Sequence, residues 1–330
     1  MQEALDIVRR SRHIVITGHV HADGDCLGAE ALLYHAFRGL GKEVTVINPD
    51  APDARYAVLA AHTPYRAYSG PHALPDHDAL FACDFSMPGR MGPMAEEIRR
   101  RAGARVAVDH HVLEPADRAF WSALVHDPRA PATGVLAYRL ALALEVALPL
   151  PALEAGFVAL SADTGWFRYP NAGAEAWSLA ADWVAAGVRP DVLHDAIHQH
   201  NDPGLPRGLA AGLESLEYDC GGRLALAWLS QERLAQVRGS LEDSDPVLDI
   251  LRSVASVEVV AFVYERAGRV QASLRSKSDV DVNVAARALG GGGHPKAAGV
   301  TFPPATPLHA ALAQVRAALR AALAPASAPV

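Results

Sequence analysis

Eight acidic and imidazole side chains in the first half of this sequence have the types and spacing to hold divalent cations. His19, Asp23 and Asp25 fall within seven positions of GHVHADGDCLGA, Asp84 opens DFSMPGR, Asp109, His110 and His111 are consecutive, and Asp163 opens DTGW. Imidazole and carboxylate suit Mn²⁺, Mg²⁺ or Zn²⁺, whereas the three cysteines are widely separated and form no CxxC pair, which argues against structural zinc. Such a donor set supports hydrolysis by a metal-acidified water. Each fragment alone also has a structural reading: Asp23, Asp25 and Asp163 fit turns or helix caps, and His19 fits local packing. A lone carboxylate after an apolar strand, as at Asp84, is costly unless a charge partner or metal compensates it. The recurrence at successive element ends favours a site.

The elements that must place these groups alternate strand and helix. Short β-branched or apolar runs at 14–18, 43–47, 79–83 and 105–109 are separated by an Ala/Leu-rich run over 26–40 and a helix near 93–102. That rhythm predicts an α/β fold with a mainly parallel sheet flanked by helices, in which ligands sit at the carboxyl ends of strands. Helical periodicity follows over 135–146, 152–161, 173–187 and 190–199. The Pro/Gly segment HNDPGLPRG (200–208) reads as an interdomain connection. Beyond it, strands at 224–229, 257–265 and 269–275 alternate with helical runs at 231–238, 282–289 and 307–323, predicting a smaller α/β domain. The expected organisation is a catalytic domain over 1–190, a helical and Pro/Gly linker over 191–218, a substrate domain over 219–325 and a flexible tail over 326–330.

A chain of 330 residues accommodates two domains, and 50% hydrophobic with 20% charged residues indicates a packed globular protein. The net charge of −7 disfavours coating long nucleic acid through a basic surface, leaving short or single-nucleotide ligands. The sequence predicts a soluble, cytoplasmic protein without a membrane span, and the Ala/Leu-rich helices predict a homodimer. Near the C-terminus, SLRSK (273–277) and GGGGHPKAAG (290–299) bring Arg275 and Lys296 close to a glycine cluster. Glycines opening a helix would let backbone N–H groups approach a phosphate, with the two cations adding charge-assisted bonds. A flexible hairpin is the structural alternative.

The order HxxADxD, strand-end D, DHH and DTG resembles the DHH phosphoesterase superfamily, and RS followed by GGGHxxAAG resembles its DHHA1 partner domain. The resemblance implies that His19 and Asp23 bind one Mn²⁺, that Asp25, His110 and Asp163 bind a second, and that Asp84 bridges them. Mg²⁺ or Co²⁺ are alternatives. It also implies that His111 faces the substrate phosphate, that Asp109 orients the adjacent histidines, and that a metal-bridging hydroxide is the nucleophile. Arg275, Ser276, Gly292, Gly293, His294 and Lys296 would grip the nucleotide away from the scissile bond.

Among superfamily members, family II pyrophosphatases carry a different C-terminal domain, RecJ-type exonucleases are longer, and membrane-bound cyclic-dinucleotide phosphodiesterases carry transmembrane helices. The compact nanoRNase type remains, implying Mn²⁺-dependent hydrolysis of short single-stranded RNA to mononucleotides and of 3'-phosphoadenosine 5'-phosphate to AMP. A soluble phosphodiesterase for pApA or cyclic di-AMP is the enzyme alternative. A nucleotide-sensing module with an inactive site is the non-enzyme alternative, disfavoured because every expected ligand is present.

Overall fold

The computed structural model describes residues 1–241 and 243–324, which fold as two compact units dividing between His200 and Asn201. The tail expected over 326–330 lies outside the described residues.

The first unit contains strands β1 (His13–Thr17), β2 (Glu43–Asn48), β3 (Tyr65–Ala67), β4 (Ala79–Cys83), β5 (Ala104–Asp109) and β6 (Ala123–His126). Its helices are α1 (Gln2–Arg10), α2 (Gly24–Gly39), α3 (Ala57–Ala60), α4 (Met94–Arg100), α5 (Thr133–Ala143), α6 (Leu150–Asp163), α7 (Ala174–Ala185) and α8 (Pro190–His198). All six strands are parallel, in the order β3-β2-β1-β4-β5-β6. The apolar runs are continuous because both faces of the sheet are covered. Ile14 and Ile16 of β1, Phe81 of β4 and Val106 of β5 point into a core with α1, α2 and α5, whereas Val15, Leu80 and Ala107 pack with Met94 and Ile98 of α4. The edge strands β3 and β6 escaped the sequence reading because each is short and only partly buried, so neither shows a sustained apolar run. Strand order reverses between β1 and β4, the point at which such sheets open a crevice beyond their carboxyl ends.

The second unit contains β7 (Glu217–Asp219), β8 (Leu224–Leu229), β9 (Val259–Arg266), β10 (Arg269–Ser276), β11 (Gly292–His294) and β12 (Ala297–Thr301). Its helices are α9 (Leu205–Glu214), α10 (Gln231–Gln236), α11 (Asp245–Arg252), α12 (Val282–Ala288) and α13 (Leu308–Leu323). The sheet order is β11-β12-β10-β9-β8-β7, antiparallel except where β8 pairs parallel with β9.

The two units divide within the Pro/Gly segment 200–208, whose second half enters α9, with Pro206 in the first turn, where a missing N–H costs nothing. One local expectation is corrected. The glycine run follows α12 and forms the β11–β12 hairpin; it does not open a helix. A Cβ at Gly293 (φ +147°) would lie 2.5 Å from Ala297 O, and one at Gly291 would lie 2.2 Å from Gly299 O. Glycine at these two positions therefore answers to strand pairing. No helix among the described residues is long and apolar enough to cross a membrane.

Candidate metal centre

The eight residues singled out by spacing converge where β1, β4 and β5 end. Thr17 closes β1, and the turn after it delivers His19 before Asp23 starts α2. Asp23 is also the helix cap: its Oδ1 accepts from Asp25 N at 3.0 Å and Cys26 N at 3.1 Å, leaving the other oxygen available. Capping thus leaves one oxygen of the same side chain able to face a cation. Asp84 follows β4 directly with φ +68°, a left-handed conformation that Asp tolerates better than most residues, and its N–H donates to Val108 O at 2.9 Å. Asp109 is the last residue of β5, and Asp163 is the last of α6. His21 turns away, 93% exposed at its side chain, with its N–H donating to Asp50 at 2.8 Å.

Among the described residues, three overlapping groups have ligand atoms within 4.8 Å of one another: His19 with Asp23 and Asp84; Asp25 with His110 and Asp163; and Asp84 with His110 and His111. Asp84 belongs to two of them. Its Oδ2 lies 3.4 Å from His19 Nε2, and its Oδ1 lies 3.7 Å from His110 Nε2. His110 Nε2 is also 3.8 Å from Asp25 Oδ2 and 3.7 Å from Asp163 Oδ2. The imidazoles are aimed by their opposite nitrogens: His19 Nδ1 is 2.8 Å from Val20 O, and His110 Nδ1 is 3.0 Å from Ala130 O. A carbonyl partner requires a proton on Nδ1, which leaves the Nε2 lone pair facing the site.

Asp109 departs in part from its expected role. Its Oδ1 accepts from His111 N at 3.0 Å and sits 2.8 Å from His111 Nδ1, so it orients His111 alone. The β5 terminus turns the two rings 81° apart, which puts His110 on a different partner. The contact to Asp109 pushes His111 up to about 9, and Asp109 is held below the usual carboxylate range.

Burial and like-charge neighbours act in the same direction on these carboxylates, both raising their pKa values. Asp25 is 1% exposed, and burial, then Asp84 and Asp163, drive its pKa well upward. Burial pushes Asp163 up to about 6, with His110 opposing and Asp84 reinforcing the rise. Protons must fill the role of positive charge in a site built of buried carboxylates. Oxygen and imidazole donors with no thiolate fit hard divalent cations, which would relieve the same repulsion.

Sequence reasoning missed the groups behind the ligands. Thr133 Oγ1 donates to Asp84 Oδ1 at 2.8 Å, while Thr133 N and Gly134 N donate to the two oxygens of Asp25 at 2.7 and 2.8 Å. Asn171 Nδ2 donates to Asp163 Oδ2 at 3.2 Å and to Pro131 O at 3.0 Å. The only sequence signal was a Thr-Gly pair opening an apolar helix. Glu30, fully buried inside the Ala/Leu-rich α2, accepts from Asn48 Nδ2 at 2.9 Å, and Asn48 Oδ1 accepts from Gly18 N at 2.7 Å, next to His19.

Burial pushes Glu30 up to about 8. Between the ordinary glutamate value and about 8, the folded state therefore holds a proton that the unfolded chain has released, so stability falls as pH rises through this window. The full shift corresponds to roughly 3–5 kcal/mol. Glu30→Gln keeps an acceptor for Asn48 without titrating. In chelator, Tm of the variant should decline less between pH 5 and 8 (roughly the window of that shift) than Tm of the parent; parallel profiles would show that Glu30 is ionised in the fold.

In the second unit the residues expected to bind substrate gather at one end of the sheet. Arg275 pairs with Ala297 across β10–β12, and Ala297 pairs with His294 across β11–β12. Ser276 N donates to Lys296 O at 2.9 Å. Arg275 donates to Asp245 Oδ1 at 2.7 Å, and Lys296 contacts Ser278 O and lies 3.6 Å from Asp279. A Cβ at Gly292 would meet nothing within 4 Å, in contrast to its neighbours Gly291 and Gly293.

Known proteins with the same features agree in both units. The DHH family, N-terminal domain, matches residues 13–161, and the DHHA1 domain matches residues 234–321. The bifunctional oligoribonuclease and PAP phosphatase NrnA of Thermus thermophilus is 31% identical over 290 residues, spanning 88% of this chain and 84% of that protein. An exopolyphosphatase-related protein from Bacteroides fragilis superposes with a TM-score of 0.87 at 22% identity, covering 98% of this chain and 96% of the other. RecJ from Thermus thermophilus in complex with Mn²⁺ superposes with a TM-score of 0.56 at 17% identity, covering 99% of this chain and 55% of that one. The two structures establish the shared fold, and the two family models fall one in each unit. The chain belongs to the DHH phosphoesterases that carry a C-terminal DHHA1 domain.

Proposed function

We propose that this enzyme hydrolyses short oligoribonucleotides to mononucleotides and 3'-phosphoadenosine 5'-phosphate to AMP, using two divalent cations, with Mn²⁺ preferred over Mg²⁺ or Co²⁺. The observation that carries the two-cation reading is the position of Asp84, whose two oxygens face ligand sets on opposite sides. His19 and Asp23 would hold one ion, Asp25, His110 and Asp163 the other, and Asp84 both. Bound there, the ions would supply an acidified water and neutralise charge on the phosphate.

The chain's own groups provide the remaining functions. With Nδ1 tied to Asp109, His111 is left to donate from Nε2 to a phosphate oxygen, and its raised pKa keeps that proton in place near neutral pH. Arg275, Ser276, Gly292, Gly293, His294 and Lys296 would hold the nucleotide away from the scissile bond. Asp245 fixes the guanidinium of Arg275 in advance of binding, and the open backbone at Gly292 admits close approach of a ligand. The choice of short RNA and of phosphoadenosine phosphate rests on the Thermus relative, which carries both activities in its name.

The test is a time course with Mn²⁺ on 5'-labelled RNAs of increasing length, beside phosphoadenosine phosphate, pApA, cyclic di-AMP and pyrophosphate. Mononucleotides from the shortest RNAs and phosphate from phosphoadenosine phosphate, both abolished by chelator, are the expected results. Cleavage confined to pApA or cyclic di-AMP would overturn the proposal in favour of a dedicated dinucleotide phosphodiesterase.

A further inference from the structure

We infer that the segment Ala130-Pro131-Ala132-Thr133-Gly134, between β6 and α5, is a positioning bracket that sets the geometry of the cation site on the Asp25 side, reaching the other only through the shared Asp84. The inference rests on the two-cation reading above. Every ligand assigned to the Asp25 side is held from this stretch. Ala130 O meets His110 Nδ1 at 3.0 Å, and the Thr133 and Gly134 N–H groups donate to Asp25 Oδ2 and Oδ1 at 2.7 and 2.8 Å. Asp163 is reached through Asn171, whose amide donates to Pro131 O at 3.0 Å and to Asp163 Oδ2 at 3.2 Å. The bridging carboxylate is held as well, by the Thr133 hydroxyl on Asp84 Oδ1, the oxygen facing His110.

His19 and Asp23 are held by other means. His19 contacts Val20 O, and Asp23 caps its own helix. The asymmetry follows from the fold, since the bracket opens α5, whose first N–H groups have no partner within the helix. Two of them are spent on Asp25, so ligand orientation is supplied by backbone that cannot change rotamer. Thr133 is fully buried, and Gly134 lets α5 close on α6, where a Cβ would lie 2.3 Å from that of Ala159. A hydroxyl on Oδ1 limits which lone pair of Asp84 is left for a cation on the His110 side.

Thr133→Val removes the hydroxyl at nearly constant volume and retains the backbone N–H, while Thr133→Ser retains both. Mn²⁺ titration by calorimetry and by electron paramagnetic resonance reads the two sites without substrate. For the parent protein, two bound ions are expected; fewer would overturn the two-cation reading itself. For Thr133→Val, one of the two dissociation constants should weaken by roughly 10–100-fold while the other stays within about twofold, and Thr133→Ser should restore it. Asn171→Ala, at an exposed position, should weaken the same site and supplies the test if the buried variant does not fold. Two ions bound with parental affinities in a folded Thr133→Val or Asn171→Ala protein, or equal weakening of both sites, would overturn the bracket.

Discussion

Asp84→Asn should abolish phosphate-ester hydrolysis, with kcat falling by roughly a thousandfold or more, because several kcal/mol of transition-state charge stabilisation would depend on the cations it is proposed to join. Asparagine is the appropriate replacement. It tolerates the φ of +68°, can still accept from Thr133 Oγ1, and keeps the backbone bond to Val108, so the variant should fold. What it lacks is a second anionic oxygen for the ion on the His19 side. The same substitution removes a neighbour that pushes Asp25 and Asp163 upward. In chelator the variant should therefore match or exceed the parent in Tm, even as its catalytic rate collapses. Steady-state kinetics on phosphoadenosine phosphate with Mn²⁺, together with melting curves in chelator, check both halves. Residual activity within tenfold of the parent would remove Asp84 from the bridge.

The parts of the site legible in the sequence were those whose residue type is itself unusual in place. A carboxylate immediately after ALFAC, or an Asp-His-His run after RVAV, conflicts with burial unless something compensates it, and that conflict is visible without coordinates. Glu30 escaped notice because a single acid among Ala and Leu reads as a solvent-facing helix position, whereas α2 is covered on nearly every side. The APATG stretch escaped for the opposite reason. Its contribution comes mostly from backbone N–H and C=O groups, which every residue possesses, so type carries no signal. The four core strands of the first sheet were legible from continuous apolar runs, while β3, β6 and β7 are three or four residues long and carry too few positions for a period. The glycine run was misread for a related reason. Glycine serves close backbone approach whether the neighbour is a phosphate or a paired strand, and only the 2.5 Å approach to Ala297 O separates the two at Gly293.

Gly28→Val tests whether the helices beneath the site set its dimensions. Gly28 lies in α2, and a Cβ there would sit 2.4 Å from Ala155 O, 2.8 Å from Ala159 Cβ and 2.9 Å from Ala159 N of α6. Two of those atoms are helix backbone, which cannot rotate aside, so α2 and α6 must separate. One turn along, Gly24 approaches Ala162 with its Cβ position 2.7 Å from that methyl, and this is where Asp25 and Asp163 leave their helices. Separation at Gly28 is therefore transmitted to the two carboxylates. Valine adds a β-branched side chain within a helix as well as the clash, placing the cost near the upper end for overpacking, about 3 kcal/mol. For a unit of this size, Tm should drop by roughly 6–12 °C. Mn²⁺ affinity on the Asp25 side should weaken by roughly tenfold or more as the ligands move apart. Gly173→Ala, where a Cβ meets open space, is the control and should leave Mn²⁺ binding unchanged. A Gly28→Val protein that melts like the parent and binds Mn²⁺ equally well would show that α2 and α6 can part without disturbing the metal ligands, and the site's spacing would then have to be set by the sheet alone.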